Sequence, residues 1–408
     1  WSMEFYAPPS KQGAVYVGTW NNVQQFKGFQ DIEPVYPEIR RYRPDLSSTT
    51  WETVLDIRDY ELTDAARPHG FRIMKTYQNQ SDGKTYLYAG TRGENIALWR
   101  SETGEPGTWE EFWRFEREGS IRGMAVHNGL LYMAFYNDYA LFDDPELNDC
   151  LVLATDGQDV WTVMDDGFGD PNNSGVFTLE AFNGWLYVGL QNLVDGGEVW
   201  KMAGPDPEAP PECVVARGGP RAVNEAPITM YVYQDHLYVG MVNNNMMNIF
   251  GLDPADFIRI SSDDTWETIA GPGSLGGERS GFGEIGNDYI WSMCEYDGWL
   301  YAGTHDVITD WTYFVTHPEF FLTIMGLGKS GNNNKCLVLL DLVVWQSSAG
   351  GDIYKSQDGV TWYCVTANGF GNKNNYGFRT MAVGAGRLFT GTANPFEGLE
   401  IWAGGLSR

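Results

Sequence analysis

Leu186-Tyr-Val-Gly-Leu-Gln-Asn192 is one of seven copies of a single phrase. The others are Val15-Tyr-Val-Gly-Thr-Trp-Asn21, Leu87-Tyr-Ala-Gly-Thr-Arg-Gly93, Leu131-Tyr-Met-Ala-Phe-Tyr-Asn137, Leu237-Tyr-Val-Gly-Met-Val-Asn243, Leu300-Tyr-Ala-Gly-Thr-His-Asp306 and Leu388-Phe-Thr-Gly-Thr-Ala-Asn394. Each is a short apolar strand running into a turn. Recurrence of one strand along the chain predicts an array of like β units. A unit this small cannot cover both faces of its own sheet, so the units must stack, and four-stranded units stack around an axis.

Working outward, each copy follows a strand with Met or Leu at one register: Met3, Met74, Met124, Leu179, Met230, Met293 and Met381. After each copy comes a third strand, such as Ala97-Leu-Trp-Arg100 or Glu198-Val-Trp-Lys201. A fourth often opens on Trp, as at Trp51, Trp109, Trp161, Trp266 and Trp362. The expectation is an all-β, seven-bladed β-propeller of four-stranded antiparallel blades forming one domain over 1–408. Blades begin near 1, 71, 121, 176, 227, 290 and 377. The seventh reaches Arg408 without a fourth strand, which leaves its completion open.

Composition narrows the function. Asp and Glu number 54 against 27 Lys and Arg, a net charge of −27. Long-range repulsion then opposes a nucleic-acid or anionic-membrane partner. No apolar run is long enough to span a bilayer. The acidity and the start at Trp1 inside a strand lead us to expect an extracellular or cell-surface protein with an N-terminal segment removed or missing. The five cysteines form no CxxC pair, which argues against zinc. Cys150 and Cys336 share a local frame, and their pairing is left open. No metal and no cofactor are expected, with a structural cation left open.

Ser356-Gln-Asp-Gly-Val-Thr-Trp362 resembles an Asp-box, the turn motif of sialidases and other BNR-repeat propellers, with degraded versions at Thr155-Asp-Gly-Gln-Asp-Val-Trp161 and Ser262-Asp-Asp-Thr-Trp266. Gly167-Phe-Gly-Asp-Pro-Asn-Asn173 and Gly369-Phe-Gly-Asn-Lys-Asn-Asn375 are similar to connectors of secreted bacterial and archaeal propellers. The resemblance implies a propeller and little about activity. It implies six blades in sialidases, against seven here. An iron centre of the carotenoid-cleaving kind needs four equivalent histidines, whereas His69, His127, His236, His305 and His317 stand at unlike registers.

Chain direction places the long connections 22–38, 138–149, 244–256 and 306–350 on one face, and long connections usually carry function. On that face Arg72, Arg122 and Arg379 share one register of the first strands. Arginines suit a carboxylate, phosphate or sulfate. Equally, each arginine could serve its own blade, pairing with a local acid and packing on an aromatic. The residue before the turn varies between copies, as at Trp20, Arg92, Tyr136, Gln191 and His305, which is what a ligand site needs. Glu4, Glu180 and Glu295 are acid–base candidates for glycoside hydrolysis, with Lys75 near the axis and His305 as another base.

The apolar segment 306–350 reads as a lid within blade six or as an interface for a protein partner or a second copy. Two functions compete: an axial site for an anionic or glycan-like small molecule, and a non-catalytic assembly protein working through its apolar insertions.

Overall fold

The computed structural model describes residues 2–9, 11–20, 36–44, 50–137, 150–205, 209–243, 253–309, 349–394 and 397–405. These are mostly strand, arranged as successive antiparallel meanders in which each strand pairs with the next. The first unit is β1 (Ser2–Tyr6), β2 (Ala14–Gly18), β3 (Glu38–Tyr42) and β4 (Glu52–Asp56). The second is β5 (Gly70–Gln78), β6 (Thr85–Gly93), β7 (Ile96–Ser101) and β8 (Glu110–Phe115), and the third β9 (Gly119–His127), β10 (Leu130–Tyr136), β11 (Leu151–Thr155) and β12 (Val160–Met164). The fourth holds β13 (Asn173–Phe182), β14 (Trp185–Asn192), β15 (Glu198–Met202) and β16 (Glu212–Val215), and the fifth β17 (Ala226–Tyr233), β18 (His236–Val242), β19 (Phe257–Ser261) and β20 (Trp266–Ala270). The sixth is β21 (Asn287–Tyr296), β22 (Trp299–Asp306), β23 (Ile353–Ser356) and β24 (Tyr363–Thr366). The last has three described strands, β25 (Gly377–Gly384), β26 (Arg387–Ala393) and β27 (Ile401–Gly404).

The first hairpin of a unit turns tightly where the sequence supplies residues that tolerate positive φ. Asn183 and Gly184 take φ of 49° and 82° between β13 and β14, the pattern of a two-residue hairpin loop matching strand twist.

The repeated phrase owes its tyrosine to packing between units. Tyr16, Tyr88, Tyr132, Tyr187 and Tyr238 are almost wholly buried. Several reach the turn between third and fourth strands of the following unit. Tyr187 Oη donates to Asp264 Oδ1 at 2.6 Å. A basic residue on the third strand completes the latch: Arg100 donates to the Gly157 carbonyl at 2.9 Å, and Lys201 pairs with Asp264 at 2.7 Å. Glycine is required where the tyrosine arrives. Gly359 sits at φ 72°, and a Cβ there would overlap Tyr238 Oη. Gly359→Ala is therefore expected to lower stability by about 1–3 kcal/mol, read as a lower urea midpoint, through strained φ and overpacking together.

The methionine register is core. Met74 belongs to the apolar cluster of Tyr16, Phe71 and Trp99, and Met293 to that of Tyr238 and Phe257. The final unit packs on the first: Met3, Val15 and Val17 share a cluster with Ala382 and Phe389, and Tyr42 lies 6.2 Å from Phe389 between ring centroids.

A second repeated device closes the outer ends of units four to seven. Asn173 donates to the Gly167 carbonyl and the Glu198 carboxylate. Asn224 does so to Gly218 and Asp256, Asn287 to Gly281 and Asp352, and Asn375 to Gly369 and Glu400. The Gly-Phe-Gly connectors are thus backbone staples. The asparagines ending the repeated phrase serve turns, as Asn192 Oδ1 does by accepting from the N–H groups of Val194 and Asp195. Among the described residues Cys150, Cys213, Cys294 and Cys364 form no disulfide, and the Cys336 end of the pairing left open lies outside them.

Candidate binding site

The first strands of all the units border one cavity of about 250 Å³, with β1, β5, β9, β13, β17, β21 and β25 each contributing. At the cavity mouth the ladder between first and second strand skips one residue, and it does so in six units. The skipped residues are Arg72, Arg122, Phe177, Ile228, Trp291 and Arg379. A bulge frees a residue from its pairing partner and re-aims its side chain. All six line the cavity.

The three arginines therefore do converge. They come from β25, β5 and β9, strands that follow one another around the cavity with β1 between the first two. Phe177, Ile228 and Trp291 come from β13, β17 and β21. The mouth is split into a cationic arc and an apolar arc. At both seams a guanidinium lies on a ring: Arg122 is 3.8 Å from the Phe177 centroid, and Arg379 is 4.5 Å from that of Trp291. Such a cation–π contact fixes where the guanidinium sits at the mouth.

The variable residues that end the second strands form a shell behind this mouth and are absent from the cavity lining. Tyr136 backs Arg122 at 5.0 Å, and Arg92, almost wholly buried, lies 5.3 Å from the Trp20 ring. Gln191 accepts from Ser174 Oγ at 3.1 Å. His305 is boxed by Tyr289, Trp291 and Tyr376, with Nδ1 2.6 Å from Asp288 Oδ1. Trp20, Arg92, Tyr136, Gln191 and His305 thus stand where they position the mouth.

The carboxylate candidates separate. Glu4, Lys75 and Glu180 line the deep part of the cavity, three residues inward of the arginine register, or roughly 10 Å along a strand. Burial pushes the Glu4 carboxyl above its ordinary range, while the Lys75 ammonium and the Thr76 N–H draw it back. Burial raises Glu180 too, again opposed by Lys75 and by the Ala181 N–H. Glu4 also accepts from Thr76 N on the next first strand at 3.3 Å, a bond between units. Glu295 is not part of this site. It lies exposed, one step further along its strand than Glu4 and Glu180 on theirs, and strand alternation turns it outward.

Sequence reading missed Phe177, Ile228 and Trp291. Their signal was available: they occupy the same register as the three arginines, which were singled out for charge. Among the described residues no group of three or more His, Cys, Asp or Glu is placed to hold a metal ion. No described helix is long and apolar enough to cross a membrane. Most of the long connections, including 310–348, lie outside the described residues.

Beside the mouth, at the end of β22, burial pushes the Asp306 carboxyl up to about 8, the Ile308 N–H and His305 oppose this, and Asp352 and Asp288 add to it. Between the ordinary value of 3.8 and about 8 the folded protein keeps a proton that the unfolded chain releases. Its contribution to stability is therefore full below pH 4 and is lost as pH rises toward 8. Urea midpoints at pH 5 and pH 8 should differ less for Asp306→Asn than for the parent.

No family model and no curated protein matches the sequence. Among solved structures, a puromycin hydrolase complexed with PGG is similar over 98% of this chain and 51% of its own, at 9% identity and TM-score 0.50. A prolyl endopeptidase is similar over 98% of this chain and 50% of its own, at 10% identity and TM-score 0.45. The chain spans about half the length of these proteins. At such identity the likeness to the puromycin hydrolase concerns the fold alone, which is β-propeller-like. It overturns the resemblance to Asp-box propellers. The turn at 356–362 does form, with Asp358 accepting from Val360 and Thr361 N–H, but that is the local chemistry of an Asx turn in any hairpin.

Proposed function

We propose that this chain is a seven-bladed β-propeller forming one domain, and that its axial funnel binds a small anionic ligand at the mouth. Packing of the last unit on the first supports the ring, as does the shared cavity. One observation carries the ligand reading: Arg72, Arg122 and Arg379, far apart in sequence, are turned by bulges into a single opening. In a protein of net charge −27 such a cluster attracts an anion locally against the overall field. The carbohydrate part of the expectation gains no support, and hydrolysis by Glu4 and Glu180 is not favoured, since Glu4 is engaged in holding Thr76. Placement outside the cell belongs to the same proposal and rests on the acidic composition. The test is calorimetric titration with acetate and with inorganic phosphate. One saturable site whose affinity falls with added salt is expected, and absence of binding by either anion would overturn the reading.

A further inference from the structure

The two-arc mouth defines more than the sign of the ligand. Resting on the anion reading above, we infer that the ligand is amphipathic, with a carboxylate on the cationic arc and an apolar, ring-sized body on the opposite arc. The wall formed by Phe177, Ile228 and Trp291 faces the opening, and its residues are 5%, 8% and 8% exposed. Little of each is exposed, and what is exposed borders the same cavity as the arginines. Behind it stand Tyr136, Val242 and Ala226, one continuous apolar cluster with Phe177, Ile228 and Trp291, so the wall is backed and rigid.

Just inside the mouth is a band of short polar side chains that includes Thr178, Thr229, Ser292 and Thr380. Ser292 is committed to the Phe378 carbonyl at 2.7 Å. Deeper still lie Glu4 and Glu180. Lys75 lies with them, so the deep end carries groups of both signs and the three arginines of the mouth remain the cationic cluster. The volume of about 250 Å³ is below the roughly 300–1,000 Å³ of pockets that take drug-sized molecules. The body is therefore about the size of one ring. Two contacts tie charge and ring recognition together. Arg122 on Phe177 and Arg379 on Trp291 mean that each seam places a guanidinium and an aromatic ring side by side. An aryl carboxylate with a short spacer meets both at once, whereas an inorganic anion meets one.

The experiment compares acetate, 3-phenylpropionate and 3-phenylpropanol by calorimetry on the whole chain, with inorganic phosphate alongside. We expect 3-phenylpropionate to bind at least tenfold tighter than acetate and 3-phenylpropanol to bind at least tenfold weaker than 3-phenylpropionate. Ile228→Asn should shrink the advantage of 3-phenylpropionate to under threefold, while Ile228→Val, which keeps an apolar wall, should retain most of it. A circular-dichroism melt establishes that each variant is folded. Equal affinity for acetate and 3-phenylpropionate overturns the inference and leaves the anion reading standing. Equal affinity for the acid and the alcohol overturns it as well. Failure of all the anions overturns the anion reading itself, and the inference with it.

Discussion

Asp256→Ala should destabilise the protein by about 3–5 kcal/mol, seen as a large drop in the urea midpoint. Asp256 has no exposed surface and gathers four donors. Arg221 reaches it through Nε at 2.8 Å and Nη2 at 2.9 Å. Asn224 Nδ2 donates at 2.8 Å and Ser280 Oγ at 2.7 Å. Alanine would take from the part-buried guanidinium its two bonds to Asp256, leaving it Asp253 and the Pro254 carbonyl, and would leave one N–H of the buried Asn224 amide unsatisfied, and each loss carries a desolvation cost. Asp256→Asn keeps the volume and one acceptor, so it should cost less. If alanine and asparagine both proved nearly neutral, the staple would contribute little to holding the fifth unit.

The second large effect is on binding. Arg122→Ala and Arg379→Ala should each weaken acetate binding roughly ten- to hundredfold, the range for removal of a charge-assisted bond of about 1.5–3 kcal/mol. The double variant should show no measurable binding. Arg122→Lys should recover only part of the loss. A lysine keeps the charge but loses the planar fork, and with it the guanidinium contact over the Phe177 ring at 3.8 Å. These arginines stand at the bulged position and not in the strand ladder, so melting temperatures should change little. A large fall in stability with intact affinity would show that the arginines are structural.

The fold was legible because its determinants are periodic. Leu-Tyr-Val-Gly recurs since every unit needs the same apolar second strand and the first five bury its tyrosine against a neighbouring unit. The Gly-Phe-Gly connectors recur since Asn173, Asn287 and Asn375 each need a carbonyl and a carboxylate at fixed reach, a need that Gly218 and Asp256 meet for Asn224 without that motif. The arginine register was legible for the same reason. The bulges were not, because a skipped ladder residue is a property of strand pairing and leaves no mark in composition. Without them Phe177, Ile228 and Trp291 read as ordinary strand residues. Glu295 was misjudged by a single step: it is two residues past Met293, whereas Glu4 and Glu180 are one past Met3 and Leu179. With a period of two, one step exchanges cavity for solvent. The Asp-box resemblance misled because an Asx turn followed by tryptophan is a local solution that unrelated hairpins reach alike.

The two-arc funnel is tested most directly by a crystal of the protein with 3-(4-bromophenyl)propionate. The account predicts an anomalous bromine peak between Phe177, Ile228 and Trp291, with carboxylate density against Arg72, Arg122 and Arg379. Bromine outside the funnel, or seated at the arginines with the carboxylate turned away, would contradict it.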